Sequence, residues 1–381
     1  MERIQIAPRP DWPAEMEALG FAFHSIGGVY WDESRAYRFS ESEIDQLEAA
    51  TAELHEMAMA AAGRVVEQER WAEFAIPPEW VATLERSWRQ RDSAQGFSLY
   101  GRMDLAYDGT GPAKLLEYNA DTPTALLEAS VAQWAWLQAR RDTLGGEVDQ
   151  FNSIHEKLIE AWTRLRQSSE LPWLHFAASQ GHEEDWGNLD YLRDTAIQAG
   201  WKTFALPIER IGFNGREFVD EFNLPISALF KLYPWEWLVR EQFSAQLLAS
   251  DMQLIEPAWR MLLANKALLV VLWEMFPDHP NLLPAFYEPG RLGGRYARKP
   301  KLAREGANVE LVDGAHREAA AGPYGAEGWV YQSLCRLPRF GDDHLVIGSW
   351  VVGGEPAGLG LREDASAITC DTSRFVPHFF S

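Results

Sequence analysis

Cysteine is nearly absent from this 381-residue chain: there are two, Cys335 and Cys370. Two isolated thiols make neither a disulfide framework nor a metal-ligand spacing. Long apolar runs are missing as well. The longest, ALLVVLW at 267–273, is far too short to cross a bilayer. The opening MERIQIAPRPDW is charged and proline-containing, without the apolar stretch of a secretion signal. Basic charge is scarce: 35 Lys and Arg stand against 56 Asp and Glu, a formal net charge of −21. Such a surface suits neither nucleic-acid phosphates nor anionic membranes. The expectation is a reduced, cytoplasmic protein with no nucleic-acid or membrane partner. The acidic surface either draws in a cationic substrate such as a polyamine or serves solubility. Internal repeats and low-complexity tracts are absent too.

What is there is enough apolar matter for a large core: 46% apolar and 12% aromatic residues, with 17 tryptophans whose simplest role is packing. The length allows two or three lobes. Ser40 and Glu43 form a capping box ahead of Ile44, Leu47, Thr51, Leu54, Ala58, Ala61 and Val65, which recur in steps of three and four; this predicts a structural helix, with His55 beside its stripe as a packed or exposed residue. IPPEW at 76–80 punctuates the chain before a short helix. A strand pair follows over 97–119, then a helix through TALLEASVAQWAWLQARR and another over 153–166. PWLHFAAS and WKTFALPIERIGF read as strands flanking a helix over 191–199. ISALFKLYPWEWL passes from strand to turn or helix, ANKALLVVLWEMF is a buried helix ended by Pro277, and the last third is rich in strands. This order predicts an α+β or mixed α/β fold with several lobes.

One segment mixes polar groups into a strand pattern: YGRMDLAYDGTGPAKLLEYNADTPT, 100–124. If DGTG makes the reversal, an antiparallel hairpin puts Asp104 opposite Glu117 and Arg102 opposite Asn119, all on one face. Opposed carboxylates need a cation or a proton between them. Oxygens from Asp, Glu and Asn suit Mg²⁺, which takes one or two carboxylates and the phosphates of a nucleotide. Arg102 is then available for phosphoryl oxygens. Thr122 reads as an N-cap with Pro123 at the first helical position, so that a positive helix end faces an anion. The alternative is a surface hairpin with an ordinary cap and salt bridge.

The motifs GRMDL, LLEYNADTPT, SQGHEEDW, ANKALLVVLWEMFP, RKPKLAREGANVEL and VYQSLCRLP, in that order over nearly the whole chain, resemble the synthetase part of the glutathionylspermidine synthase family. That resemblance implies an ATP-grasp fold with an associated preATP-grasp region, several lobes around a central cleft, and acid–amine ligase activity. It implies Asp104, Glu117 and Asn119 as Mg²⁺ ligands and Arg102 as a contact to the phosphoryl group and the acyl-phosphate. It places Thr122 and Thr124 near the substrate carboxylate, Glu183 and Glu184 near the amine, Lys266 and Lys299 on ATP phosphates, and Arg362 near the transferring phosphoryl group. Without the resemblance, HEED is a solvated charge run, Lys266 a cation near a helix start, His182 polar filler and Cys335 inert packing. Gly306 lies in a basic loop of a kind that can cover phosphates. Gln332 lies in a segment, 331–334, that lines an adenine pocket or is a plain strand.

The chain is therefore expected to be one catalytic unit over 1–381, with a hairpin-bearing lobe at 1–165, a preATP-grasp-like region at 166–255 and a nucleotide-binding lobe at 256–381. The expected reaction uses ATP and Mg²⁺ to join a small-molecule acid, such as a peptide like glutathione, to an amine through an acyl-phosphate. The ligase motifs begin near the start of the sequence, so the amidase domain of bifunctional relatives is not expected. Ala303 stands where glycine is expected in many relatives, which puts the nucleotide loop's geometry in question. Two other classes compete: a nucleotide-binding relative that ligates nothing and regulates, and a carbohydrate hydrolase using paired carboxylates. The hydrolase leaves the two lysines without a purpose.

Overall fold

Residues 1–25 and 28–381 are described by a computed structural model of the chain. The capped helix predicted from its stripe runs Glu41–Glu67. Ser40 accepts the Glu43 N–H, and all seven stripe residues are buried. That helix packs on the strands that carry the hairpin, with Thr51 Oγ1 2.7 Å from Ser349 Oγ.

Four strands form a parallel sheet in the order Gln253–Ile255, Ala228–Leu232, Leu174–Ala178, Thr203–Pro207. Leu174–Ala178 and Ala228–Leu232 are buried throughout, as expected where both faces of a parallel sheet are covered. The helix Glu183–Gln198 joins the Leu174–Ala178 strand to Thr203–Pro207. It begins well before residue 191, so HEED is its first turn and not a loop.

A six-stranded antiparallel sheet follows the order Arg374–Val376, Glu355–Asp364, Asp343–Val352, Tyr100–Ala106, Lys114–Asn119, with Arg339–Phe340 also paired to Asp343–Val352. A five-stranded antiparallel sheet contains Ala285–Phe286, Trp329–Ser333, Arg295–Pro300, Glu310–Asp313 and His316–Ala319. Near the chain ends, Glu2–Gln5, Arg35–Phe39 and His378–Phe380 share a third small sheet. The segments 1–165 and 256–381 thus contribute strands to common sheets. The result is a mixed α/β molecule, and among the described residues no helix is long and apolar enough to cross a membrane.

The hairpin has the expected register. Arg102 faces Asn119 and Asp104 faces Glu117. Immediately after Asp104 the ladder shifts by one residue, so Leu105 pairs with Leu115. Such a bulge frees backbone groups and re-aims the strand; here the Leu116 carbonyl is left to accept from Lys299 at 2.8 Å. On the other side Gly348 lies opposite Asp104. A Cβ on Gly348 would come within 2.7 Å of Arg102 Cδ, so glycine lets the Arg102 side chain cross the sheet face.

Candidate active site

The hairpin face forms the floor of a cleft with about 1320 Å³ of empty space, part of it open to solvent. Asp104 is nearly buried and holds two guanidiniums. Arg102 Nε lies 2.7 Å from Oδ1 and Arg362 Nη2 2.6 Å from Oδ2. Arg362 comes from the strand Glu355–Asp364, two strands away. Burial pulls the Arg102 guanidinium down, but Asp104 outweighs it and the group is held above its ordinary value.

Glu117 is paired with Lys266 at 3.0 Å and accepts from Asn119 Nδ2 at 3.0 Å. Burial pushes its carboxyl up; Lys266 and Lys299 overcome that and hold it well below the usual range. Because Asn119 spends its amide N–H on Glu117, its carbonyl oxygen remains as a donor to a cation. Two carboxylates and one amide oxygen on one sheet face form the oxygen set that Mg²⁺ accepts, with waters and phosphates completing the shell. The residues present fit that ion. The set has only two carboxylates, and among the described residues no group of three or more His, Cys, Asp and Glu could hold a metal.

Lys299 is 7% exposed and donates to the Leu116 carbonyl and to Gln332 Oε1, both at 2.8 Å. An ammonium has three N–H groups, so one is left for an anion. Burial pulls it down to about 8, with Glu117 acting in the opposite sense. Lys299, Gln332, Asp104, Glu117 and Gly306 line a second recess of about 690 Å³ that shares Asp104, Glu117, Gly306 and Thr369 with the main cleft. Ser333, Leu334 and Cys335 continue its wall, whereas Tyr331 does not line it and meets Tyr296 edge-on at 5.4 Å. The strand expected over 331–334 therefore presents Gln332 and the residues after it. Cys335 is a wall residue and not core packing, and burial raises its thiol.

The basic loop after Lys299 covers the junction of the two spaces. Gly306 has φ +70°, and a Cβ there would lie 2.5 Å from the Thr369 carbonyl oxygen, so this close approach needs glycine. Ala303 has no left-handed backbone and its carbonyl accepts from Lys266 at 2.9 Å. Alanine fits there without strain. Arg304 reaches back to Thr122, bonding its hydroxyl and, at 3.2 Å, its carbonyl.

Two expectations need correction. Thr122 is not an N-cap: the helix starts at Leu126, after Ala125 at φ +71°. The Leu126 N–H is taken by Asn188 Oδ1 at 2.7 Å, so that helix end faces a side chain from the neighbouring helix and not a bound anion. Local cap chemistry lost to this tertiary contact. Thr122 and Thr124 still line the cleft, held by Arg304 and by the bond from Arg102 to the Thr124 carbonyl at 2.8 Å. Glu183 is exposed and outside the cleft, because consecutive residues of a helical turn point in different directions. Glu184 and Asp185 are the pair that lines it. His182 is exposed and makes no cap bond.

Sequence reasoning missed Asp185, Glu236, Arg304 as a cleft residue, and Tyr30 with Glu128. Asp185 was within HEED, but only a helical phase separates it from Glu183. Tyr30 and Glu128 meet from segments 98 positions apart, and no local pattern marks them.

The comparisons with known proteins agree with one another. The model of the family described as glutathionylspermidine synthase preATP-grasp matches residues 3–381. A Haemophilus influenzae protein named "Putative acid--amine ligase" is 42% identical over 398 aligned residues, covering 100% of both chains. The bifunctional glutathionylspermidine synthetase/amidase of Escherichia coli is 27% identical, over 96% of this chain and 63% of its own, so this chain spans less than two thirds of that relative. A solved glutathione synthetase-like effector from Globodera pallida superposes with a TM-score of 0.57 over 98% of each chain at 10% identity, a likeness of fold.

Proposed function

Since this chain belongs to the glutathionylspermidine synthase preATP-grasp family, we propose that it is an ATP-dependent acid–amine ligase that forms an amide through an acyl-phosphate. The observation that carries the reading is the convergence of Asp104, Glu117, Asn119, Lys299, Arg102 and Arg362 where two recesses join, with Lys266 lining neither recess but paired to Glu117. The recess at Gln332 and Lys299 takes the nucleotide, whose phosphates point toward the hairpin. Asp104, Glu117 and Asn119 would hold Mg²⁺, which would screen phosphate charge when bound.

The acid's carboxylate lies against Thr122 and Thr124 and attacks the terminal phosphorus, giving acyl-phosphate and ADP. Lys266 and Lys299 hold phosphate oxygens; Arg102 and Arg362 neutralise charge on the moving phosphoryl group. In the unliganded cleft Asp104 holds Arg102 and Arg362 and Glu117 holds Lys266, while Lys299 bonds only the Leu116 carbonyl and Gln332, so positive charge is in excess and suits phosphate. The catalytic power is positional and electrostatic. The amine enters beside Glu184 and Asp185, the acidic pair that replaces the expected Glu183 and Glu184. It loses a proton there and attacks the acyl carbon, expelling phosphate.

The family's name supports a peptide acid and a polyamine as the first pair to try, with glutathione and spermidine as probes. ADP release measured across peptides, amino acids and polyamines tests the reading. Release that depends on both an acid and an amine supports it. Saturable binding of Mg²⁺·ATP with no release for any pair replaces the ligase by a nucleotide-binding protein.

A further inference from the structure

Beneath the amine end of the cleft lies a carboxyl that the reaction above does not use. Glu128 is fully buried. One of its oxygens accepts the Tyr30 hydroxyl at 2.7 Å, and the other has no hydrogen-bond partner. It opens a π turn, Glu128–Ala132, in the helix that follows the substrate-side threonines. One extra residue per turn of this kind re-aims side chains and recurs at functional sites.

One residue links the two helices that carry Glu128 and Glu184. Asn188, 1% exposed, accepts the Leu126 N–H at 2.7 Å and donates to the Glu184 carbonyl at 2.8 Å. It therefore ties the start of the Glu128 helix to the first turn of the Glu184 helix. Tyr30 lines the cleft together with Thr124 and Glu184, and its bond to Glu128 places that buried carboxyl behind the cleft wall.

We propose that Glu128 is a positioning residue for the amine: Glu128 and Glu184 share a single proton, and the one negative charge they keep is the seat for one ammonium group. This rests on the reading of the Glu184 end as the amine end. Unpaired buried acids remain neutral at little cost, whereas two neighbouring buried carboxylates cannot both ionise. The groups facing Glu128 are Tyr30, Glu184, Arg102 and Arg362; those facing Glu184 are Glu128, Asp185, Glu305 and Thr124. Burial is the largest influence on both carboxyls and pushes both up. Glu128 and Asp185 push Glu184 further, while the Tyr30 bond and the two arginines restrain Glu128. When the ammonium gives its proton to the ionised carboxyl, the pair holds two protons and the amine nitrogen regains its lone pair. Charge and protons balance with no other reactant.

The test needs neither ATP nor the acid. In protein labelled with ¹³C at the glutamate carboxyl carbon, NMR titration of the whole chain should show two carboxyls titrating far above the ordinary range. Glu128→Gln, which keeps an acceptor for Tyr30, should move the Glu184 midpoint down by about one pH unit or more, and Glu184→Gln should do the same to Glu128. Tyr30→Phe retains both acids and should raise the Glu128 midpoint, which keeps the test sound if Glu128→Gln does not fold. Millimolar spermidine should lower the upper midpoint of the wild-type pair. A purely structural Glu128 would leave the Glu184 midpoint unmoved by Glu128→Gln and the Glu128 midpoint unmoved by Glu184→Gln, and that result overturns the proposal; an upper midpoint unmoved by spermidine overturns its amine part. Failure of ADP release in the separate screen bears on the ligase reading and leaves these titrations standing.

Discussion

Asp104 carries two guanidiniums and Glu117 an ammonium, and each is also one of the two carboxylates offered to Mg²⁺. Under the proposed metal assignment, neutralising either removes a ligand and frees cations that then compete for the phosphates. Losing one preorganised electrostatic contact costs about 10²- to 10³-fold in kcat. Asp104→Asn and Glu117→Gln should fall in that range or beyond it in steady-state ADP release, with the fold intact by circular dichroism; near-normal turnover in both would remove the metal assignment. At this scale the hairpin residues were legible, because period-two alternation around DGTG fixes which side chains share a face. Glu183 and Glu128 were not. The former needed the helical phase of HEED, and the latter depends on contacts with Tyr30 and Asn188 that no spacing records.

The hairpin is positioned by more than its own ladder. Arg260, 2% exposed, donates to the carbonyls of Tyr100 and Ala120, one at the start of the first hairpin strand and one just past the end of the second, and pairs with the fully buried Glu256 at 3.4 Å. Glu256 in turn accepts the N–H groups of Leu99 at 2.9 Å and Tyr100 at 3.1 Å. The parallel sheet is thereby clamped to both open ends of the hairpin. Arg260→Met leaves Glu256 buried without its cation, a loss of about 3–5 kcal/mol. Urea denaturation should show that drop in stability, and a change below about 1 kcal/mol would mean the clamp is not what holds the element. The capped helix Glu41–Glu67 was readable in full, since its stripe and capping box are local. The start of the helix after the hairpin was not: Thr122-Pro123 is good cap chemistry, but the left-handed Ala125 and the Asn188 side chain set the boundary at Leu126.

Across the whole molecule, the cleft exists because strands distant in sequence close one sheet. Tyr100–Ala106 is paired directly to Asp343–Val352, and Arg362 reaches Asp104 over 258 positions. The mixed α/β class could be read from the order of elements, whereas this closure could not, because periodicity says what a strand buries but not which strand it joins. The five-stranded sheet supplies Lys299 and Gln332, the six-stranded sheet Asp104 and Glu117, so a nucleotide between them links two sheets. A ligand at one hundred times its dissociation constant stabilises the native state by about 2.7 kcal/mol. Mg²⁺·ATP should raise the melting temperature, and Lys299→Met should abolish that rise while melting as a folded protein by itself. A rise unchanged in Lys299→Met would place the nucleotide elsewhere.

The central claim is that an acid's carboxylate is phosphorylated in this cleft before the amine attacks. With the acid that supports ADP release, labelled with ¹⁸O in its carboxyl group, the account predicts that one labelled oxygen per turnover appears in the released phosphate. Phosphate that carries no label while amide accumulates would contradict it.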